Sequence, residues 1–164
     1  MKEAGVFASI LQKTSIPILH SAAAILRLAS MDDYSGPVSL FIRVLLDKKY
    51  ALPYKVVDGV VFHFIRLANT YKGTRSTSSD LPVLWHQSLL VFVQRYLHIS
   101  LPVLVVALIS FDRYGSDLTP EQKDALLDVV KARPHPQMTA EIRRHIVDSV
   151  MRGEPRPMED ITMS

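Results

Sequence analysis

The sequence predicts an all-α protein built of antiparallel helix pairs, as in an α-solenoid. Three observations carry that expectation. Apolar residues recur at helical spacing in one segment after another, as at Val56, Val57, Val60, Val61 and Phe64. No stretch of useful length alternates with period two, so strands are not expected. Proline stands near the start of successive apolar segments, at Pro17, Pro37, Pro53, Pro82 and Pro120, where a missing N–H costs a helix nothing. Short turns between such helices favour antiparallel neighbours. No repeat is regular enough to name.

The elements follow in order. Residues 2–13 form the first expected helix, with Val6, Phe7, Ile10 and Leu11 on one face. Ser15 is placed to cap the second, which has Pro17 near its first turn and ends near Met31. Its alanines at 22–24 would let another helix approach closely. Asp32 to Gly36 reads as a turn. The third helix follows Pro37 and closes its apolar face at Leu45 and Leu46. The fourth runs from Pro53 to about Ala68. Asn69 to Ser79 is polar and rich in Gly, Ser and Thr, a flexible loop. Asp80 is a cap candidate for the fifth helix, whose wide apolar face carries Leu81, Leu84, Trp85, Leu89, Phe92 and Val93. Thr119-Pro120-Glu121-Gln122 is a capping box opening a helix that ends at Arg133-Pro134-His135-Pro136. Thr139 is expected to cap a last helix through Val150, stopped by Gly153. One domain over 1–153 and a polar, disordered tail over 154–164 complete the reading.

Composition supports a globular chain with a core of its own. The 164 residues are 48% hydrophobic and 21% charged, with net charge +3. The charge is uneven. Residues 1–114 hold 12 Lys and Arg against 7 Asp and Glu, net +5, and residues 115–164 hold 7 against 9, net −2. A basic body with an acidic tail permits an RNA or acidic-protein partner without requiring one. The chain has no cysteine, so it has no disulfide framework and no thiolate metal site. No signal-peptide pattern is expected at the N-terminus, because Glu3 interrupts a short apolar run.

Chemistry-bearing patterns are weak. The six histidines include no pair at zinc-helix spacing. His63 and His86 sit inside apolar helices, where a hydrogen-bonded core histidine outweighs a ligand. His20 and Ser21 are neighbours in sequence only, which does not make a nucleophile and its base. The glycines are too scattered for a phosphate loop. Trp85 has core spacing. The rival reading, a hydrolase or metal enzyme built on the histidines, thus has no motif behind it. No catalytic residue, metal or cofactor is expected.

The most informative stretch joins the third and fourth helices. Asp47, Lys48, Lys49 and Tyr50 make a polar turn, and Pro53, Tyr54 and Lys55 open the next helix. Basic residues beside aromatics suit phosphate and RNA contacts; the competing reading is a solvated turn with tyrosines packed on the helix ends. The candidate binding residues are Lys48, Lys49, Tyr50 and Lys55, with Arg143 and Arg144 second. An Arg-Arg pair is more often a solvated face.

Several of these stretches resemble the bystin family. The similarity begins at Ser-Ile-Pro-Ile-Leu-His-Ser-Ala-Ala-Ala (15–24). It strengthens at Leu-Leu-Asp-Lys-Lys-Tyr-Ala-Leu-Pro-Tyr (45–54), Val-Phe-His-Phe (61–64) and Leu-Pro-Val-Leu-Trp-His-Gln-Ser-Leu-Leu (81–90). It continues through Gln94-Arg95-Tyr96 and Pro134-His135-Pro136 to Glu-Ile-Arg-Arg (141–144). The resemblance implies an all-helical, HEAT-like solenoid without catalytic activity, of which this chain matches the C-terminal part. It further implies a factor for assembly of the small ribosomal subunit, needed for processing of its RNA and for export. Such a factor works in the nucleolus and nucleus and passes to the cytoplasm on the precursor particle. Its implied partners are pre-ribosomal RNA, small nucleolar RNA, small-subunit ribosomal proteins and other assembly factors, with no membrane and no small-molecule substrate. A general helical adaptor is the alternative.

One segment departs from the family pattern. Bystin-like sequences run from Gln-Arg-Tyr almost directly into a stretch like Ser-Asp-Leu-Thr-Pro-Glu-Gln-Lys. Here Leu97 to Tyr114, 18 residues, intervenes between the pairs Arg95-Tyr96 and Arg113-Tyr114. Its run from Leu101 to Ile109 is the most apolar in the chain, yet shorter than the ~20 residues of a membrane span, with Pro102 near its start. An extra helix or buried strand is one reading. A retained intron, with splice signals in the repeated Arg-Tyr codons, is the favoured one. Without the segment, the fifth helix and the Thr119 helix are expected to pack as an antiparallel pair.

Overall fold

The computed structural model describes residues 2–72, 81–97 and 118–149. Among these, all regular structure is helical: α1 (Lys2–Lys13), α2 (Ile18–Ala29), α3 (Gly36–Asp47), α4 (Tyr54–Thr70), α5 (Val83–Tyr96), α6 (Pro120–Ala132) and α7 (Thr139–Val147). The all-α class holds for them. None of these helices is long and apolar enough to cross a membrane.

The helices lie in two rows. In one, α1 packs on α3, α3 on α5 and α5 on α7; in the other, α2 packs on α4 and α4 on α6. Between the rows, the backbones approach most closely where α2 meets α3 and α6 meets α7. Side-chain contacts give the direction of each helix. Lys48, just past α3, reaches the carbonyls at the end of α1. Arg95, near the end of α5, reaches Asp47 at the end of α3. In the other row, Arg66, late in α4, reaches the end of α2, and Arg133, just past α6, reaches Ala68 near the end of α4. Helices within a row therefore run the same way, and consecutive helices run opposite ways.

Burial explains why these segments choose helix. α4 buries Val56, Val57, Val60, Val61, Phe64, Leu67 and Ala68, a stripe at helical spacing. Phe64 stands at the centre of the core: its ring lies 5.7 Å from those of both Trp85 and Phe92. Gly59 permits the approach of α2, since a Cβ there would fall 2.6 Å from Leu26 Cδ1. The alanine run in α2 works only in part, with Ala22 buried and Ala23 and Ala24 facing solvent.

Helix C-termini receive cations from neighbouring helices, where unpaired carbonyls concentrate negative charge. Lys48 Nζ donates to Thr14 O at 2.7 Å and Gln12 O at 3.4 Å. Arg66 donates to Ala29 O and Met31 O at 3.0 and 2.7 Å. Arg133 donates to Ala68 O, and Lys123 to Val147 O and Ser149 O. The Lys48, Arg66 and Arg133 caps join neighbours within a row, and the Lys123 cap ties α6 to α7 across the rows.

Several boundary expectations need correction. Pro17, Pro53 and Pro82 are N-cap residues, one step before the first helical turn, and Ser15 makes no cap on α2. Ser15 lies too far ahead of α2 to reach its first free N–H groups. α4 continues through Asn69 to Thr70, helped by the Thr70 hydroxyl donating to Arg66 O. Met138 is the N-cap of α7; Thr139 Oγ1 instead accepts from His135 N at 2.6 Å, closing the preceding turn. α7 stops at Val147, short of Val150. In the full chain, with 97–114 present, α6 packs on α4 and α7. The Thr119 capping box is present in full, and Gln122 Nε2 also reaches Asp58 Oδ1 at 2.7 Å, joining α6 to α4. Of the segment set apart at 97–114, only Leu97 is described; it is 1% exposed and its N–H donates to Val93 O, so it belongs to the end of α5. The remaining residues through Tyr114, most of the 69–79 loop, Asp80, Gly153 and the 154–164 tail lie outside the described residues.

Candidate nucleic-acid interface

The corner between α3 and α4 is a pinned frame carrying exposed charges. α3 ends at Asp47, and Lys48 stays right-handed with φ −66°. Lys49 turns the chain with φ 59°, the left-handed region in which a Cβ is strained. Leu52, 1% exposed, anchors the turn in the core. Pro53 then starts α4. Tyr96 Oη bridges back to Tyr50 O at 3.2 Å, and Arg95 holds Asp47 through Nε and a terminal nitrogen, at 3.0 and 2.8 Å. The turn is thereby pinned by α5.

The candidate residues divide within this frame. Lys48 is half-buried and spends its ammonium on the end of α1. Lys49 and Lys55 are exposed. Tyr50 packs inward against the core, and the corner's solvent-facing tyrosine is Tyr54, 37% exposed. Tyr54 was visible in the sequence beside Lys55, but only burial separates the two tyrosines. Lys13 also joins this corner, because Lys48 binds the carbonyls on either side of it. That neighbour was missed because it lies a whole helix pair away in sequence. Lys55 lies in the first turn of α4, whose N-cap Pro53 offers no side-chain cap. A cation is unfavourable at that positive helix end unless an anion joins it. The corner thus presents the exposed Lys49 and Lys55 beside the Tyr54 edge, with Lys13 at the neighbouring end of α1: a surface that favours phosphate oxygens.

The arginines are elsewhere. Arg143 and Arg144 lie on α7, and α5 stands between α7 and α3 in the row. Both are exposed. Arg144 donates to Glu141 Oε1 at 2.6 Å, and this guanidinium holds the Glu141 carboxyl below the usual range. His145 Nε2 reaches the same oxygen at 2.9 Å. Arg144 is therefore paired, and the structure does not join the α7 arginines to the corner.

The histidines read as structural. His63 is 1% exposed, and its Nδ1 lies 3.1 Å from Ala29 O, so the neutral ring donates there. Burial, above all, pulls its pKa down to about 4. His86 is buried with its ring 4.8 Å from Trp85 and 5.0 Å from His135. Among the described residues, no group of three or more His, Asp or Glu is placed to hold a metal ion.

Comparison with known proteins adds what the geometry alone lacks. The family model described as Bystin matches residues 1–100 and 97–156. Bystin of Bos taurus is 45% identical over 164 residues, covering 100% of this chain and 31% of the relative. Bystin of Homo sapiens is 44% identical over the same span, also 31% of its length. Bystin of Monosiga brevicollis is 46% identical over 160 residues, 98% of this chain and 32% of the relative. The chain spans about a third of the length of these curated relatives and matches their C-terminal part. On these matches, the chain belongs to the bystin family.

Proposed function

We propose that the protein is a non-catalytic scaffold in small ribosomal subunit assembly, binding precursor RNA through the corner between α3 and α4. The corner carries the reading. Lys49 and Lys55 are exposed, with Lys13 at the neighbouring end of α1, on a frame pinned by Leu52, Arg95 and Tyr96. A rigid, basic, aromatic-edged surface recognises phosphodiester groups at low conformational cost. Membership of the bystin family supports the setting. The two rows of parallel helices form part of a solenoid whose surfaces receive RNA, small-subunit ribosomal proteins and other assembly factors. The protein acts in the nucleolus and nucleus, and leaves on the precursor particle after supporting RNA processing. Arg143 is a secondary contact.

A helical protein–protein adaptor outside ribosome assembly is the second reading. The exposed apolar side chains of Phe7 and Leu19 favour it. Co-sedimentation with small-subunit precursors, together with accumulation of unprocessed small-subunit RNA on depletion, is expected for the scaffold. Normal RNA processing in depleted cells would select the adaptor.

A further inference from the structure

The solvent-facing side of the α3–α4 corner carries more than charge. Lys49, Ala51, Pro53, Tyr54 and Lys55 are all exposed, while Tyr50 is half-buried and Leu52 is fixed in the core. Along the chain, an apolar strip of Ala51, Pro53 and Tyr54 therefore lies between two exposed lysines. Lys48 stands apart from the strip, because its ammonium is held at the end of α1. The strip is also preset. Leu52 anchors it from beneath, Pro53 sits at φ −57°, and Tyr54 is the first residue of α4. At 37% exposure, Tyr54 keeps most of its surface against the protein. An aromatic side chain held in this way offers contact area with little freedom left to lose on binding.

Lysines alone would bind any polyanion, but the strip discriminates. A duplex presents phosphates on its outside and keeps its bases paired and stacked, so it leaves an exposed tyrosine without a partner. An unpaired nucleotide presents the open face of a base next to its own phosphates, which matches an aromatic ring set among cations.

We propose that the corner takes unpaired RNA, a single strand or a looped-out nucleotide, with one base stacked on Tyr54 and neighbouring phosphates on Lys49 and Lys55. The inference rests on the reading of this corner as an RNA surface and names the form of RNA it takes. Tyr54 is then the residue that selects unpaired over paired RNA. The two lysines supply affinity for either form, because a phosphate contact carries no information about the base.

Three labelled probes of about ten nucleotides, a length within the usual range of single-strand sites, are titrated by fluorescence anisotropy with the 164-residue chain. They are an unstructured uridine-rich strand, an abasic strand with the same number of phosphates, and a duplex of the same length. The intact strand binds about tenfold or more tighter than the abasic strand and the duplex, the range expected for one stacked base. Tyr54→Leu removes that advantage, leaving the abasic affinity and the salt slope unchanged. Tyr54→Trp retains it, and the fluorescence of the new indole is quenched when the intact strand is added. Lys49→Ala with Lys55→Ala weakens all three probes and flattens the salt dependence. Circular dichroism confirms the fold of each variant. Equal binding of intact and abasic strands overturns the inference, as does a Tyr54→Leu chain that binds the intact strand as before. In either case a weakened double-lysine variant leaves the phosphate reading of the corner standing. If the double-lysine variant binds every probe like the original chain, the corner is not the RNA surface, and both readings fall.

Discussion

Replacing Lys49 by glycine and, separately, by alanine divides two properties of one residue. Lys49 holds φ at 59°, and its N–H donates to Leu46 O at 3.1 Å to finish α3. A Cβ in this left-handed region costs about 1–2 kcal/mol. Glycine removes that cost and loses about 0.4–1 kcal/mol to its freer unfolded chain. The net gain for Lys49→Gly is about 0.5–1 kcal/mol, or about 1–4 °C in melting temperature for a chain of this size. Lys49→Ala keeps the Cβ, so its stability stays within about 0.5 kcal/mol of the original. Both substitutions remove the same charge, so both weaken RNA binding alike. Lys48→Met gives the contrast: it frees the end of α1 and costs about 0.5–1 kcal/mol. Urea unfolding followed by circular dichroism measures all three. A glycine variant no more stable than the alanine variant would refute the strain argument.

Other predictions rest on the core and on the caps. Phe64→Ala removes the ring at the centre of the Trp85–Phe92 cluster and destabilises by about 3–5 kcal/mol in urea titration. His63 has a folded pKa of about 4, below its ordinary 6.5, so the unfolded chain binds the proton first as pH falls. Its contribution is fully present above pH 6.5 and is lost between 6.5 and about 4, by roughly 3 kcal/mol. His63→Gln, which keeps a donor for Ala29 O, flattens the stability profile across that window; an unchanged slope would show that other groups set it. Thr119→Ala breaks the capping box of α6 and costs about 0.5–2 kcal/mol in thermal unfolding, and Gln122→Ala costs more because the α6–α4 hydrogen bond to Asp58 is lost with it.

Local patterns made much of this legible. The stripe on α4, the capping box at Thr119 and the buried histidine at 63 follow from spacing within a few turns of helix. What sequence did not give is long-range. Lys48 reads as a free turn cation until the end of α1 is placed beside it. Arg66, Arg133 and Lys123 look like solvated surface charges, yet each caps a helix distant in sequence. Tyr50 and Tyr54 are alike as sequence; only Tyr96 and the core decide which one faces inward. The packing of α6 on α4 instead of α5 depends on rows that no single helix encodes. The prolines mislead by one residue, because an N-cap proline and a first-turn proline look the same before the helix start is known.

The central claim is that the α3–α4 corner meets RNA phosphate on the small-subunit precursor. The direct measurement is the salt dependence of binding between purified precursor particles and the chain, compared with a Lys49→Ala, Lys55→Ala variant. The two exposed lysines each account for about one unit of slope in log affinity against log salt, so the double variant is shallower by roughly two units and weaker at low salt. A variant that binds the particles with unchanged affinity and unchanged slope would contradict the account and assign the corner a structural role.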